Sequence, residues 1–445
     1  MSDAQRFFTG DASGVMDWLR ESGAQRVRVQ FADLAGISRG KSVSLPHFER
    51  VVGHGLPFTA AILAVDVEAN VVPGTPYAES TGFADLVARP DLSTLRLLRH
   101  EAGAALVLCD LVWPDGRPVA SDPRTVLRRA IDDLAELGLA AQAAPELEFY
   151  ILDGEYGLIG EGVQAYSMQR RHVFLEEEQA LLDAVSAHGE VECSSHEYGP
   201  GQYEVTVRYG DALPMADFGQ LFRWTMKEAA VSMGRRVTFM AKPYDHLSGS
   251  SCHVHLSMRD RDGGNAFAAP RDPYGLSETC QHFMGGALAH MDELAAIYLP
   301  NANSYRRIVP GAFAPFSKAW GVDNRTAAIR VINESPESTR TEFRYCGGDV
   351  NLYLAFAALL AAGADGIRNR IDPGPPAKGN LDEQDVERLP REWDKALDAF
   401  ERSEWVKSAL GEEFARTYVL VKRYELDVAR RGVSAQERGR YVEFL

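Results

Sequence analysis

The chain lacks most of the features that mark disulfide-stapled, membrane and nucleic-acid-binding proteins. Its 445 residues include only five cysteines, at 109, 193, 252, 280 and 346. The number is odd and no pair has C-x-x-C spacing. Neither a disulfide framework nor a zinc cluster is expected, and a reducing cytoplasm fits better. Positive charge is in deficit: 47 Lys and Arg stand against 63 Asp and Glu, a formal net charge of −16. That balance argues against nucleic acid and against an anionic membrane surface as partners. The start, MSDAQRFFTGD, has neither a basic segment nor an apolar core and does not read as a signal peptide. No apolar run reaches the length of a membrane span. The nearest, residues 353–364, is short and alanine-rich, and reads as a buried helix packed closely through small residues. Internal repeats are absent, and so is a Walker-type Gly-rich loop, which excludes a P-loop enzyme.

What is present is globular in character, with 45% hydrophobic and 25% charged residues. The length exceeds one ordinary domain, so two are expected. The first hundred or so residues read as a small strand-rich unit. Residues 11–23 pattern as a short amphipathic helix, 27–31 as a strand, 33–36 as a turn and 38–43 as a returning strand. Residues 58–66, 92–99 and 107–112 add apolar or alternating runs, the last ending at the turn Trp-Pro-Asp-Gly, 113–116. A helix is expected from Pro123 to Leu137, capped by Ser121 or Asp122 and stopped by Gly138. A strand follows over 141–152. Residues 160–185 look irregular and then helical. Helices are expected over 214–234, 276–298, 351–368 and most of 391–425, with a Pro/Gly linker at 373–379. Strands alternating with helices after residue 120 suggest an α/β or α+β catalytic domain.

Chemistry collects in six stretches. In SGSSCHVHLS (248–257), His253, His255 and Ser257 alternate with Val254 and Leu256, so in a strand they share one face. Two imidazoles and a hydroxyl after a Gly-Ser run suit metal and phosphate binding. The alternative is a half-exposed strand whose histidines are satisfied by neighbours. In ELEFY (146–150), Glu146 and Glu148 share a face opposite Leu147 and Phe149. The solvent face of an edge strand would look the same. In HEYGPGQYE (196–204), Glu197 and Glu204 flank a Gly-Pro-Gly turn that can join two short strands. The segments NSYRRIVPG, NRTAAIR and RTEFR place Arg307, Arg325, Arg330, Arg340 and Arg344 close together in sequence. Arginine forks bind carboxylates and phosphates in two-pronged fashion. Should Glu146, Glu148, Glu197, Glu204 and Glu342 converge, the pocket would hold five negative charges and would need cations. Oxygen donors with one imidazole suit Mg2+ or Mn2+ rather than zinc. Arginines beside such ions describe a phosphoryl-transfer site.

The order ELEFY, HEYGPGQYE, SGSSCHVHLS, NSYRRIVPG, NRTAAIR, TEFR and NLYLAFAALLAAGADGI resembles the glutamine synthetase family, type I. The match runs from about residue 120 to the C-terminus and is weaker but collinear before it. The resemblance implies an α+β protein: a small β-grasp N-terminal domain, residues 1–118, then an α/β catalytic domain, 119–445. It implies Glu148, Glu197 and Glu204 as ligands of one metal and Glu146, His253 and Glu342 as ligands of a second. His255, Ser257 and Arg340 would contact ATP. Gly249, Arg307 and Arg344 would hold glutamate, and Arg325 and Arg330 would steady phosphate in the transition state. The reaction would pass through γ-glutamyl phosphate, which an amine then attacks. Family members form dodecamers of two stacked hexamers in which a neighbour's N-terminal domain completes each site.

Two departures bear on the amine. Phe313 stands where ammonia-using members carry an acidic residue, and Thr59 aligns with their aspartate, although Asp66 could take over that role. A neutral, partly aromatic pocket suits an alkylamine, ethanolamine or polyamine better than ammonium. The alternatives are an ordinary glutamine synthetase and a non-catalytic structural or regulatory relative. The tyrosine of adenylylated members is missing near Asp382, so no such control is expected.

Overall fold

The computed structural model describes residues 7–162, 165–168, 175–309 and 311–443. Pro310 of NSYRRIVPG and parts of 160–185 lie outside them.

Two sheets organise the chain. The first is built from β1 (Arg26–Ala32), β2 (Ser38–Ser44), β3 (Leu56–Thr59), β4 (Asp85–Pro90), β5 (Arg96–Leu97) and β6 (Ala104–Val112). Its order is β2-β1-β6-β4-β3, with β5 on β6. β1 and β6 run parallel and the other pairs antiparallel. Helices α1 (Val15–Glu21) and α2 (Leu45–His54) contribute Leu19, Phe48 and Val51 to its core, beside Val27, Val29 and Val107.

A helix, α3 (Pro123–Glu136), opens the larger part. Asp122 accepts hydrogen bonds from the amides of Arg124 and Thr125, and Pro123 occupies the first turn, where its missing N–H costs nothing. The second sheet comprises β7 (Ala140–Leu152), β8 (Val191–His196), β9 (Gln202–Val207), β10 (Gly210–Asp211), β11 (Arg236–Thr238), β12 (Cys252–Arg259), β13 (Trp320–Val322), β14 (Ile329–Ile332) and β15 (Arg340–Phe343). Its order is β13-β14-β15-β12-β7-β9-β8, with β10 and β11 also on β7. Its helices are α4 (Leu175–Val185), α5 (Ala212–Ser232), α6 (Glu278–Ala289), α7 (Met291–Tyr298), α8 (Ala302–Arg306), α9 (Leu352–Asn369), α10 (Trp393–Arg402), α11 (Glu404–Leu410), α12 (Glu412–Arg431) and α13 (Ala435–Tyr441).

Period-two alternation gives this sheet two characters. Leu147, Phe149, Val205, Val254 and Leu256 are buried in the core with Phe222 and the alanine-rich α9. Each such side chain contributes roughly 1.5–3 kcal/mol of burial. The opposite face carries the polar members of the same strands. Close packing of α9 rests on glycine: a Cβ on Gly286 of α6 would lie 2.6 Å from the amide nitrogen of Gly366. None of the described helices is long and apolar enough to cross a membrane.

Several expectations need correction. β7 is a central strand between β12 and β9, so the edge-strand reading of ELEFY does not hold. The run 58–66 is a strand only to Thr59; Ala60–Leu63 form a 3-10 turn. In 92–99 only Arg96–Leu97 pair as strand. The expected helix 276–298 breaks at His290, whose ring meets Asp365 at 2.9 Å and stacks on Trp405. Helix α2 and strand β4 were not anticipated.

Candidate active site

Strand register gathers the polar residues of the second sheet on one face. Residues directly opposite in antiparallel strands point the same way. His253 on β12 stands opposite Glu146 on β7. Glu148 on β7 stands opposite Glu204 on β9. His255 faces Glu342 on β15, and Glu342 in turn faces Arg330 on β14. Five strands thus deliver a continuous row of carboxylates, imidazoles and one guanidinium.

The distances are those of a working cluster. His253 Nδ1 lies 2.6 Å from Glu146 Oε1 and 3.5 Å from Glu342 Oε1. His255 Nε2 lies 3.2 Å from Glu146 Oε2, and Arg340 Nε donates to His255 Nδ1 at 3.3 Å. Glu148 Oε2 accepts the amide of Ser251 at 2.8 Å, and its other oxygen lies 4.0 Å from His253 Nε2. Arg330 Nη1 donates to Glu342 Oε2 at 2.8 Å, and Arg344 Nη1 donates to Oε1.

Electrostatics split these carboxylates. Burial alone would raise the Glu342 carboxyl, but the charges of His253, Arg344 and His255 outweigh it and hold it down to about 2. Glu146 also lies well below the usual range: the imidazoles of His253 and His255 overcome its burial. Glu204 has no such help. Burial, then the charges of Glu146 and Glu148, push it up to about 10. Glu197 is pushed up to about 7 by burial and by Glu148.

This donor set fits divalent cations. Glu146, His255 and Glu342 bring one donor atom each within 4.8 Å of one another, and so do Glu146, Glu204 and His253. His253 Nε2 is buried without a hydrogen-bond partner among the described residues. Carboxylate oxygens held close despite their repulsion are what a hard cation would relieve. The groupings cut across the two expected ligand sets. Glu146 belongs to both, and Glu148 and Glu197 belong to neither; a Glu197 oxygen accepts the amide of Tyr198 at 3.3 Å.

Arg307 is buried and donates to Ser251 Oγ at 2.7 Å and to the Tyr345 carbonyl at 3.3 Å. Gly249 packs on it so tightly that a Cβ there would come within 2.7 Å of Arg307 Cγ and 2.5 Å of the Ala241 carbonyl. Arg344 Nε donates to the carbonyl of Arg325 at 3.2 Å, while the Arg325 side chain is exposed. Its charge nonetheless acts on Glu197. Ser257 is half-buried on the histidine face.

Phe313 sits in an exposed loop, and the loop's Gly311 amide donates to Asp382 Oδ2 at 2.9 Å. Thr59 is elsewhere, on β3 opposite Asp85, with its hydroxyl donating to the Phe83 carbonyl at 3.3 Å. The Asp66 carboxylate is engaged locally. Its Oδ1 accepts the amides of Glu68 and Asn70, at 2.9 and 2.8 Å, and its Oδ2 accepts Asn70 Nδ2, so the carboxylate closes its own turn.

Sequence reasoning passed over four residues beside the cluster. Ser251 ties Glu148 to Arg307. Gln202 donates to the Gly249 carbonyl at 2.9 Å. Tyr198 follows Glu197 with an exposed ring. Tyr166 is exposed too, its amide donates to the His196 carbonyl at 3.0 Å, and burial with the charges of Glu204 and Glu197 raises its phenol. Tyr198 was in plain view inside HEYGPGQYE, whereas nothing local marks Tyr166.

Comparison with known proteins bears on this arrangement. Residues 120–441 match the glutamine synthetase catalytic domain family. The chain is 37% identical over 433 residues to a gamma-glutamylethanolamide synthetase of Streptomyces coelicolor, covering 94% of this chain and 92% of that protein. It is 34% identical over 451 residues to a glutamate–isopropylamine ligase of a Pseudomonas species, covering 97% and 98%. The solved structure of a GmaS/ADP complex superposes with a TM-score of 0.87 at 28% identity, over 98% of this chain and all 100% of that one.

Proposed function

This chain belongs to the glutamine synthetase family, and we propose that it joins the γ-carboxylate of glutamate to an amine larger than ammonia. It is an ATP-dependent carbon–nitrogen ligase acting on glutamate and an amine, and its family uses divalent metal ions. The amine in this reading is an alkylamine, ethanolamine or polyamine. The observation that carries it is the exposed phenyl ring of Phe313, stacked on Tyr198, the residue after Glu197. A phenyl ring cannot neutralise ammonium but can cover an alkyl group. The names of the two relatives, an ethanolamide synthetase and an isopropylamine ligase, support the same reading.

In this reading Glu148, Glu197 and Glu204, with Glu146, His253 and Glu342, hold two Mg2+ or Mn2+ ions. Those ions would supply positive charge against the phosphates of ATP. His255, Ser257 and Arg340 meet the nucleotide, and Gly249, Arg307 and Arg344 position glutamate. The γ-carboxylate takes the γ-phosphoryl group of ATP, and Arg325 and Arg330 offset charge spreading over the transferring group. The amine then attacks γ-glutamyl phosphate at the acyl carbon, and phosphate leaves.

The first sheet and α2 are read as a β-grasp domain, 1–118, ahead of the catalytic domain, 119–445. Because Thr59 is bonded within the first sheet, it would serve the pocket of Phe313 on a neighbouring copy, in a dodecamer of two stacked hexamers. Five free cysteines suit a cytoplasmic location. The test is ATP-dependent phosphate release with glutamate and a panel of amines at matched concentrations. Clear preference for ammonia would overturn the amine assignment, and analytical ultracentrifugation tests the assembly.

A further inference from the structure

Tyr198 and Phe313 come from segments more than a hundred residues apart, yet their rings lie nearly parallel, 25° between planes, with centroids 6.3 Å apart. Neither is buried: Tyr198 is 45% exposed and Phe313 53%. Two stacked aromatic rings facing solvent bury little against each other, so the pairing alone does not explain the cost of exposing them. Phe313 also holds a left-handed backbone, φ +50°, which a phenylalanine rarely adopts. That conformation, next to Gly311 at φ +79°, presents the ring toward Tyr198. Strain of this kind persists where the surroundings enforce it, and it concentrates at ligand clamps.

The position of the pair matters. Tyr198 directly follows Glu197, and its amide donates to the Glu197 carboxylate at 3.3 Å. The aromatic wall therefore begins where the acidic face ends. A primary amine has the same division, a polar nitrogen on an apolar chain. Its nitrogen would lie toward the carboxylates and its chain along the rings.

Resting on the ligase reading above, we propose that Tyr198, with Phe313, is the specificity wall for the N-substituent, and that the site selects primary amines bearing a short apolar chain. Ammonia offers the wall nothing. Each methylene laid on it gains up to about four-fold in kcat/KM.

The test is a homologous series, ammonia, methylamine, ethylamine and propylamine, assayed by direct detection of the γ-glutamylamide with the full-length protein. In the wild type, kcat/KM rises along the series. In Tyr198→Ala and in Phe313→Leu the slope against chain length flattens, whereas Tyr198→Phe, which keeps the ring, preserves it. A merely structural role would lower every member of the series by one factor and leave the slope unchanged; that result overturns the proposal. A wild type that forms amides with no rise along the series also overturns it while leaving the ligase reading standing. A wild type that forms no amide with any amine removes both.

Discussion

Glu148 on β7 and Glu204 on β9 face each other directly across an antiparallel pair. Like charges at such positions repel, and the strain is visible in Glu204, pushed up to about 10, and in Glu197, pushed up to about 7. Without cations the folded protein therefore keeps protons that the unfolded chain loses near the ordinary value of 4.5. Native protein then binds more protons than unfolded protein, so stability falls as pH rises from about 4.5, through Glu197's value and on toward that of Glu204. Cations bound there would displace those protons. EDTA-treated protein should show a melting temperature that drops between pH 6 and pH 9, and added Mg2+ or Mn2+ should remove most of the slope. Equal slopes with and without metal would contradict a shared carboxylate cage.

Two carboxylates of the same face should respond to substitution with opposite signs. Glu342 is 1% exposed and accepts hydrogen bonds from Arg330 and Arg344. Glu342→Gln leaves the buried Arg344 guanidinium without its counter-charge, although Arg330 keeps Asp323, and should destabilise the fold by roughly 3–5 kcal/mol. Glu204→Gln instead removes a repelled carboxyl, so the metal-free protein should melt higher. Both should lower metal-dependent phosphate release by more than the roughly 10–100-fold lost when a group outside the metal shell is removed. Differential scanning calorimetry in EDTA, paired with the phosphate assay, separates the two effects.

Arg325 offers the cleanest separation of chemistry from stability. Its side chain is exposed, and the bond that Arg344 makes to this residue goes to its backbone carbonyl. Arg325→Ala should therefore change folding stability by no more than about 0.5 kcal/mol. A guanidinium that offsets charge in phosphoryl transfer is worth about 10³-fold or more in turnover. The expected result is an unchanged melting curve with a collapse in kcat. A stability loss matching the activity loss would make Arg325 a structural residue.

Much of the site was legible because a strand writes its two faces into the sequence at a period of two. ELEFY, CHVHLS and RTEFR each showed which side chains travel together. What alternation cannot show is adjacency. Nothing local says that β12 lies beside β7, about a hundred residues earlier, so gathering the carboxylates required the ordered motifs of the family. Long-range contacts also explain the errors. Gly285 and Gly286 stand a turn before the break at His290 but inside α6; the break itself is held by Asp365 and Trp405, from distant segments. The apolar run after Thr59 looked like more strand, but Ala60 and Leu63 bury themselves in a 3-10 turn instead. Asp66 looked available because its partners, Glu68 and Asn70, bind it through backbone amides that any residue would supply.

Glycine in the helices gives a last pair of opposed outcomes. On α6, a Cβ at Gly286 would stand 2.0 Å from the Ala362 carbonyl and 2.7 Å from Gly366 Cα, both backbone atoms of α9. No rotamer change can relieve such a clash, so the helices must separate. Gly286→Ala should cost about 1–3 kcal/mol or more, despite alanine's better helix propensity. On α2, a Cβ at Gly53 meets nothing within 4 Å. Gly53→Ala should then stabilise by about 0.5–1 kcal/mol, because the unfolded chain loses freedom and the helix gains a better former. Chemical denaturation of both variants checks the signs. If Gly286→Ala were neutral, α6 and α9 would not be in the close contact that the alanine-rich sequence of α9 permits.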